Sequence, residues 1–280
     1  TTEMLKKSDV ELVVLITPHN THAKLALECL RAGRHVVCEK PMAIRTAECD
    51  QMIAEAKKKK VMLSVYHNRH WDGCILNAVK HIKDKGAIGE VVRIHAHMTG
   101  YNQPGDWWRS SRTISGGILY DWGVHLLEYS LQLMADEITE VSGFSHSGVW
   151  APKTAWKDDT NEDEGYAVVR FKKGGYLTLC LSQIDARPSP HWLEITGTKG
   201  AYAFDWVHWE MALPKKNEMV VHKGQNPPGQ PLEYYQNVAD HLMKGKQLVI
   251  TSEWARRPIH IIDLAVQSAK KGQALKAKYK

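Results

Sequence analysis

The stretch from Glu11 to Pro41 constrains the fold more than any other part of this 280-residue chain. Glu11-Leu-Val-Val-Leu-Ile-Thr17 is a continuous apolar run that stops at Pro18, the pattern of a strand buried on both faces. Residues 21 to 32 then place Ala23, Ala26, Leu27 and Leu30 at helical spacing, and Gly33 ends that helix. His35 to Cys38 reads as a second strand, and a helix capped at Thr46 carries Met52, Ile53 and Ala56. Val61 to Val65 reads as a third strand. Strands separated by single helices join in parallel, because each crossover helix returns the chain to the same end of the sheet.

After residue 70 the pattern changes. A helix from about Trp71 to Lys85 leads to a strand from Glu90 to Met98, an aromatic loop, and a helix from Gly116 to Met134. From Ile138 to about His222 strands dominate: Tyr166 to Phe171, Gly175 to Leu181, Trp192 to Gly197 and Ala201 to Trp209. Lys173-Gly174-Gly175 is a hairpin signal. Helices near 231 to 244 and 251 to 271 close the chain.

The chain is 43% hydrophobic and 24% charged, which excludes long disordered stretches, and no apolar run has the length of a membrane span. The net charge of +6 is spread out, with no concentrated basic face carrying interleaved aromatics, so neither nucleic-acid binding nor a membrane partner is expected. The five cysteines are odd in number and form no CxxC pair, as expected of reduced thiols in a cytoplasmic protein. Histidine pairs occur at 19/22, 67/70 and 95/97, but none has a third ligand at a recognisable spacing, and no metal is expected.

Two segments carry groups suited to proton chemistry. Lys40 lies at the carboxyl end of the second strand, where open α/β sheets bind ligands, although such a lysine is also an ordinary solvated strand end. In Gly116-Gly117-Ile118-Leu119-Tyr120-Asp121-Trp122-Gly123-Val124-His125, the Asp and His are four apart on an expected helix and share one face. A carboxylate one turn from an imidazole can orient it and raise its basicity; a purely structural hydrogen-bonded pair has the same spacing.

Glu39-Lys40-Pro41 followed about eighty residues later by the Gly116–His125 segment resembles the Gfo/Idh/MocA family, whose members move hydride between NAD(P) and a sugar or polyol. The resemblance covers nearly the whole chain. It implies an α/β plus α+β fold. Residues 1–70 would be the C-terminal part of an NAD(P)-binding Rossmann-type parallel sheet domain. Residues 71–280 would be a substrate-binding and oligomerisation domain with a large, mainly antiparallel open sheet and helices. Lys40, Asp121 and His125 become the catalytic residues, with His125 the acid/base and the other two orienting and tuning it. Thr17, Pro18, His19, Asn20 and His22 would lie along the cofactor, NAD or NADP, together with Glu39, Lys40, Pro41, Asn68 and Arg69. Tyr101, Trp108 and Arg109 would join Asp121 and His125 at the substrate, since aromatic faces stack on sugar C–H surfaces and Arg bonds hydroxyls or a carboxylate.

The same resemblance implies a homo-dimer or homo-tetramer built through the open sheet. It leaves two alternatives: an NAD-dependent glycoside hydrolase of the same fold, and a binding protein without turnover. No G-x-G-x-x-G occurs in the sequence, although a dinucleotide site of this architecture opens with such a turn. The expectation is that about 60 residues, two βα units, precede Thr1.

Overall fold

A computed structural model describes residues 2 to 278. After a short helix, α1 (Thr2–Lys7), come β1 (Leu12–Leu15), α2 (His22–Arg31), β2 (His35–Cys38), α3 (Thr46–Lys59) and β3 (Leu63–Val65). The three strands form a parallel sheet in the order β1-β2-β3, with Val13 opposite Val36 and Val37 opposite Ser64. β2 and β3 carry the continuous burial expected of a covered parallel sheet. Among the described residues β1 pairs with β2 alone, and Val14 is 41% and Ile16 just beyond it 75% exposed. Thr46 also differs in role. It is the first residue of α3 rather than its cap, and its amide donates to Asp263 at 2.8 Å.

The rest of the chain adds α4 (Gly73–Val79), β4 (Val91–Thr99), α5 (Arg112–Ser115), α6 (Trp122–Leu133) and β5 (Ile138–His146). Six strands follow: β6 (Glu164–Phe171), β7 (Tyr176–Ser182), β8 (Leu193–Gly197), β9 (Gly200–Phe204), β10 (His208–Lys215) and β11 (Glu218–Gln225). Then come α7 (Glu233–Lys244), α8 (Ser252–Lys271) and the short β12 (Leu275–Lys276). Nine strands make one sheet in the order β11-β10-β9-β8-β4-β7-β6-β5-β12. Every neighbouring pair is antiparallel except β4 with β7.

Two corrections concern element ends. The single strand read over Ala201 to Trp209 is two strands, because Asp205 turns the chain by accepting from the amides of Val207 and His208. The helix read from Gly116 begins only at Trp122. Gly116 and Gly117 hold φ of +96° and +126°, a conformation that favours glycine, and the chain reverses there before α6 starts.

Helices α6 and α8 cover the β4–β7–β6–β5 part of this sheet. On β6 the covered face carries Gly165, Ala167, Val169 and Phe171, and on β7 it carries Leu177, Leu179 and Leu181. α6 is buried from Gly123 to Leu133, packed against β4 and β7 of this sheet and against α8. The closest approach is at β5, where a Cβ built on Gly143 would lie 2.0 Å from the carbonyl oxygen of Ala265 on α8. Gly143→Ala is therefore expected to cost about 1–3 kcal/mol, since strand or helix must move to admit one methyl group. An unchanged urea midpoint in that variant would contradict the close contact.

Candidate functional site

In a parallel sheet all carboxyl ends lie along one edge, so the segments following β1, β2 and β3 are brought together there. They are Thr17 to His22, Glu39 to Pro41, and Tyr66 to Arg69. Lys40 follows β2, and its peptide bond to Pro41 is cis. The Lys40 Nζ lies 2.5 Å from Asp121 Oδ1 and 3.3 Å from the Asp121 carbonyl oxygen. The two side chains are 14% and 35% exposed, so the ion pair is partly open to a ligand. Burial pushes the Asp121 carboxyl up, but Lys40, its hydrogen bond and Arg109 outweigh that and hold it below its ordinary value. The Asp121 carboxyl is thus ionised at neutral pH.

His125 lies within α6, 5% exposed. Asp121 stands just ahead of the helix and is committed to Lys40, with Arg109 Nε 3.9 Å away. The expected rise in His125 basicity from Asp121 does not occur. Burial drives His125 well below the ordinary imidazole range, and Lys40, His67 and Arg69 push the same way. The ring is neutral at pH 7, the form that can accept a proton.

The remaining expected residues divide by exposure. His19 and His22 are 2% and 0% exposed and hold the loop in place rather than presenting their rings. His19 Nδ1 meets the Ser115 carbonyl at 2.9 Å, and its ring stands edge-on to Trp108 at 4.8 Å. His22 meets the carbonyls of Pro41 at 2.7 Å and Thr17 at 2.9 Å, tying the segment after β1 to the segment after β2. Asn20 is exposed, and Thr17 and Pro18 are half-buried. Glu39 accepts from the Lys40 amide at 2.9 Å. Asn68 opens a short turn, and the Arg69 guanidinium lies between Trp122 and Trp206, at 4.6 and 5.1 Å from the ring centres. Asp72 accepts from it at 3.2 Å.

Arg109 stacks on Trp107 at 4.7 Å and Trp108 at 4.4 Å, which aims it at Asp121. Beside Asp121 opens a cavity of about 380 Å³ whose wall includes Asn102, Gln103, Trp107, Arg109, Trp122 and Gln183. Tyr101 lies outside this group, 59% exposed and edge-on to Trp150 at 5.4 Å. Among the described residues, no group of three or more His, Cys, Asp or Glu is arranged to hold a metal ion.

Several neighbours of the site escaped the sequence reading. Asn161 binds the Arg109 carbonyl at 2.7 Å and accepts from Ser115 at 3.0 Å, locking the aromatic loop to the segment before α6. It sits in an irregular stretch with no pattern to mark it. Trp122 touches both His125, at 5.4 Å, and Trp192, at 5.4 Å. His67 faces His125 with ring centres 6.4 Å apart; the sequence marked it only by its place beside Asn68 and in the 67/70 pair, neither of which points to His125.

Two family models match the chain. Residues 1–67 match an oxidoreductase family with an NAD-binding Rossmann fold, and residues 76–203 match the GFO/IDH/MocA C-terminal domain. An uncharacterized oxidoreductase of Schizosaccharomyces pombe is 37% identical over 133 residues, covering 47% of this chain and 36% of the relative. Myo-inositol 2-dehydrogenase of Thermotoga maritima is 30% identical over 207 residues, covering 73% of this chain and 59% of the relative. The matched stretches thus span roughly a third to three fifths of these relatives' own length. Among solved structures, a levoglucosan dehydrogenase in complex with NADH and levoglucosan superimposes with a TM-score of 0.85. It is 20% identical, and the match covers 99% of this chain and 83% of that one.

Proposed function

The chain belongs to the GFO/IDH/MocA oxidoreductase family, and we propose that it supplies the catalytic and substrate-binding part of an NAD(P)-dependent dehydrogenase acting on a sugar or polyol. The observation that carries this reading is the Lys40–Asp121 ion pair at the carboxyl edge of the parallel sheet, next to a neutral, buried His125. The similarity to an inositol dehydrogenase and to a levoglucosan dehydrogenase fold supports the substrate class.

Residues 1–70 take the cofactor side and residues 71–280 the substrate side in this reading. The exposed Asn20 amide and the Lys40 ammonium fit a ribose- and phosphate-bearing cofactor. When bound, the nicotinamide supplies the hydride acceptor or donor. The chain's own residues handle the proton and the oxygen. Lys40 holds the substrate hydroxyl and offsets developing alkoxide charge. His125 takes the hydroxyl proton in oxidation and returns it in reduction. Asp121 keeps Lys40 in place. The amide and indole groups around the cavity suit a neutral polyhydroxylated ring: amides bond hydroxyls, and Trp107 and Trp122 offer faces to C–H surfaces.

The protein is read as cytoplasmic because its cysteines, four of them buried, are all free thiols. No helix among the described residues is long and apolar enough to cross a membrane. A homo-dimer or homo-tetramer through the large sheet is part of the same proposal. Its support is the side of the sheet opposite α6 and α8, where Phe144 is 61% and Tyr176 37% exposed.

Calorimetric titration of NADH and NADPH tests the reading, using this chain and any longer product that its gene encodes, followed by a sugar and polyol turnover screen. This sequence contains no G-x-G-x-x-G, so by itself it is expected to bind either cofactor more weakly than about 1 μM. Any product of its gene that carries a glycine-rich turn ahead of β1 is expected to bind one of them tightly and to reduce it with a polyol. Binding of neither cofactor by either protein would overturn the dehydrogenase reading.

A further inference from the structure

Because α6 is buried from Gly123 to Leu133, each polar group on it needs a partner inside the protein. Glu128 takes His70 Nδ1 at 2.5 Å, Trp254 Nε1 at 3.2 Å and the Gln132 amide at 3.0 Å. Tyr129 donates to Asp72, and Ser130 to the Leu126 carbonyl at 2.7 Å. His125 is different: its Nδ1 is sealed from solvent and bonds to none of the described residues.

A second such ring faces it. His67, just beyond the carboxyl end of β3, is 1% exposed, and neither of its ring nitrogens has a hydrogen-bond partner. The two rings are perpendicular with centres 6.4 Å apart. Ring nitrogens lie about 1.1 Å from their centres, so nitrogens facing each other would stand no closer than about 4 Å, beyond a direct bond and within reach of two hydrogen bonds of about 2.8 Å through one water. To accept a proton at Nε2, a neutral imidazole must carry its own proton at Nδ1, and a buried N–H needs an acceptor.

We infer that His67 is a positioning residue for His125: through one bridging water it accepts the Nδ1–H of His125 and so keeps Nε2 free to take the substrate proton. This rests on the dehydrogenase reading above. In the oxidation direction the substrate C–H bond releases hydride to the nicotinamide. The O–H bond releases its proton to His125 Nε2, and a carbonyl remains. The resulting imidazolium is stabilised by its Nδ1–H contact through the water to His67. Glu128, Lys40 and His70 act on His67 electrostatically, and Lys40, Arg69 and His67 act on His125. A His67 ring that turns its N–H toward the Glu128 charge leaves its other nitrogen as an acceptor. Burial lowers His67 to about 4 and lowers His125 too, so both rings are neutral at pH 7.

The test reads tautomers by long-range ¹H–¹⁵N correlation on the labelled 280-residue chain, in wild type, His67→Phe and His67→Gln. Wild type is expected to show His125 protonated at Nδ1. His67→Phe, which keeps a ring but removes the acceptor, is expected to move His125 toward the Nε2–H form. His67→Gln, whose amide oxygen accepts, restores the wild-type form. A wild-type His125 protonated at Nε2 overturns the inference even if His67→Phe does not fold; so does an unchanged Nδ1–H form in a folded His67→Phe. The tautomer is read without turnover, so its failure is distinct from failure of the cofactor titration.

Discussion

His125→Asn in the cofactor-binding enzyme is expected to lower kcat by about 10²- to 10⁴-fold, the usual contribution of a positioned acid/base. Affinity for the reduced cofactor is expected to hold. Asn is smaller than His and makes no charged contact that must be replaced, and the wild-type ring is neutral where it sits. Loss of rate with cofactor binding intact would separate proton transfer from folding. Lys40→Met is the companion variant. It leaves Asp121 with only the Arg109 contact at 3.9 Å, so the carboxyl is expected to rise toward or above its ordinary value, since burial then acts with less opposition. Retention of more than a tenth of wild-type kcat by His125→Asn would move the proton to another group and sink the assignment.

Acid sensitivity is the second large effect expected. His19 and His67 are lowered to about 4, and His125 well below its ordinary value, in each case chiefly by burial. In the unfolded chain each returns to about 6.5. A lowered histidine binds its proton more readily unfolded than folded, so its stabilising share is complete above pH 6.5 and falls as the pH drops toward 4. The loss is at most about 1.4 kcal/mol per pH unit for each ring, or about 3 kcal/mol for His19 or His67 over the whole window. The contributions of His67 and His125 are not additive, because each feels the other and Lys40. Asp121, held below its ordinary value, acts in the same direction at lower pH: its share is present above pH 4 and is lost only as the pH falls further. Urea midpoints measured from pH 7 to pH 4 check this. His67→Phe should flatten the slope between pH 6 and 5, and a stability that stays level across that range would exclude buried neutral histidines.

The main architecture was legible because it rests on short-range pattern. The alternation of β1, α2, β2, α3 and β3 follows from apolar runs and helical spacing within about a dozen residues each, and parallel pairing follows from the crossovers. Lys40 at a strand's carboxyl end and the glycines ahead of Asp121 are equally local. Errors came where a neighbour distant in sequence decides. Thr46 reads as a helix cap, yet it opens α3 and its amide is taken by Asp263, 217 positions away. Ala201 to Trp209 is uninterrupted in β propensity, and the Asp205 hydrogen bonds break it.

The candidate site divides along the same line. The sequence by itself determined which groups are available: a lysine after the second strand, an Asp and a His four residues apart, and an aromatic loop with an arginine. Only the tertiary structure decided their partners. Asp121 serves Lys40 across 81 positions of the chain rather than His125 one turn away, because it stands outside the helix and faces the sheet edge. His125 faces His67 at the end of β3 because α6 packs beside that end, a contact that no local spacing encodes. Charge, tautomer and proton affinity at this site depend on burial and on contacts between elements, and both are set by the packing of α6 against the sheets.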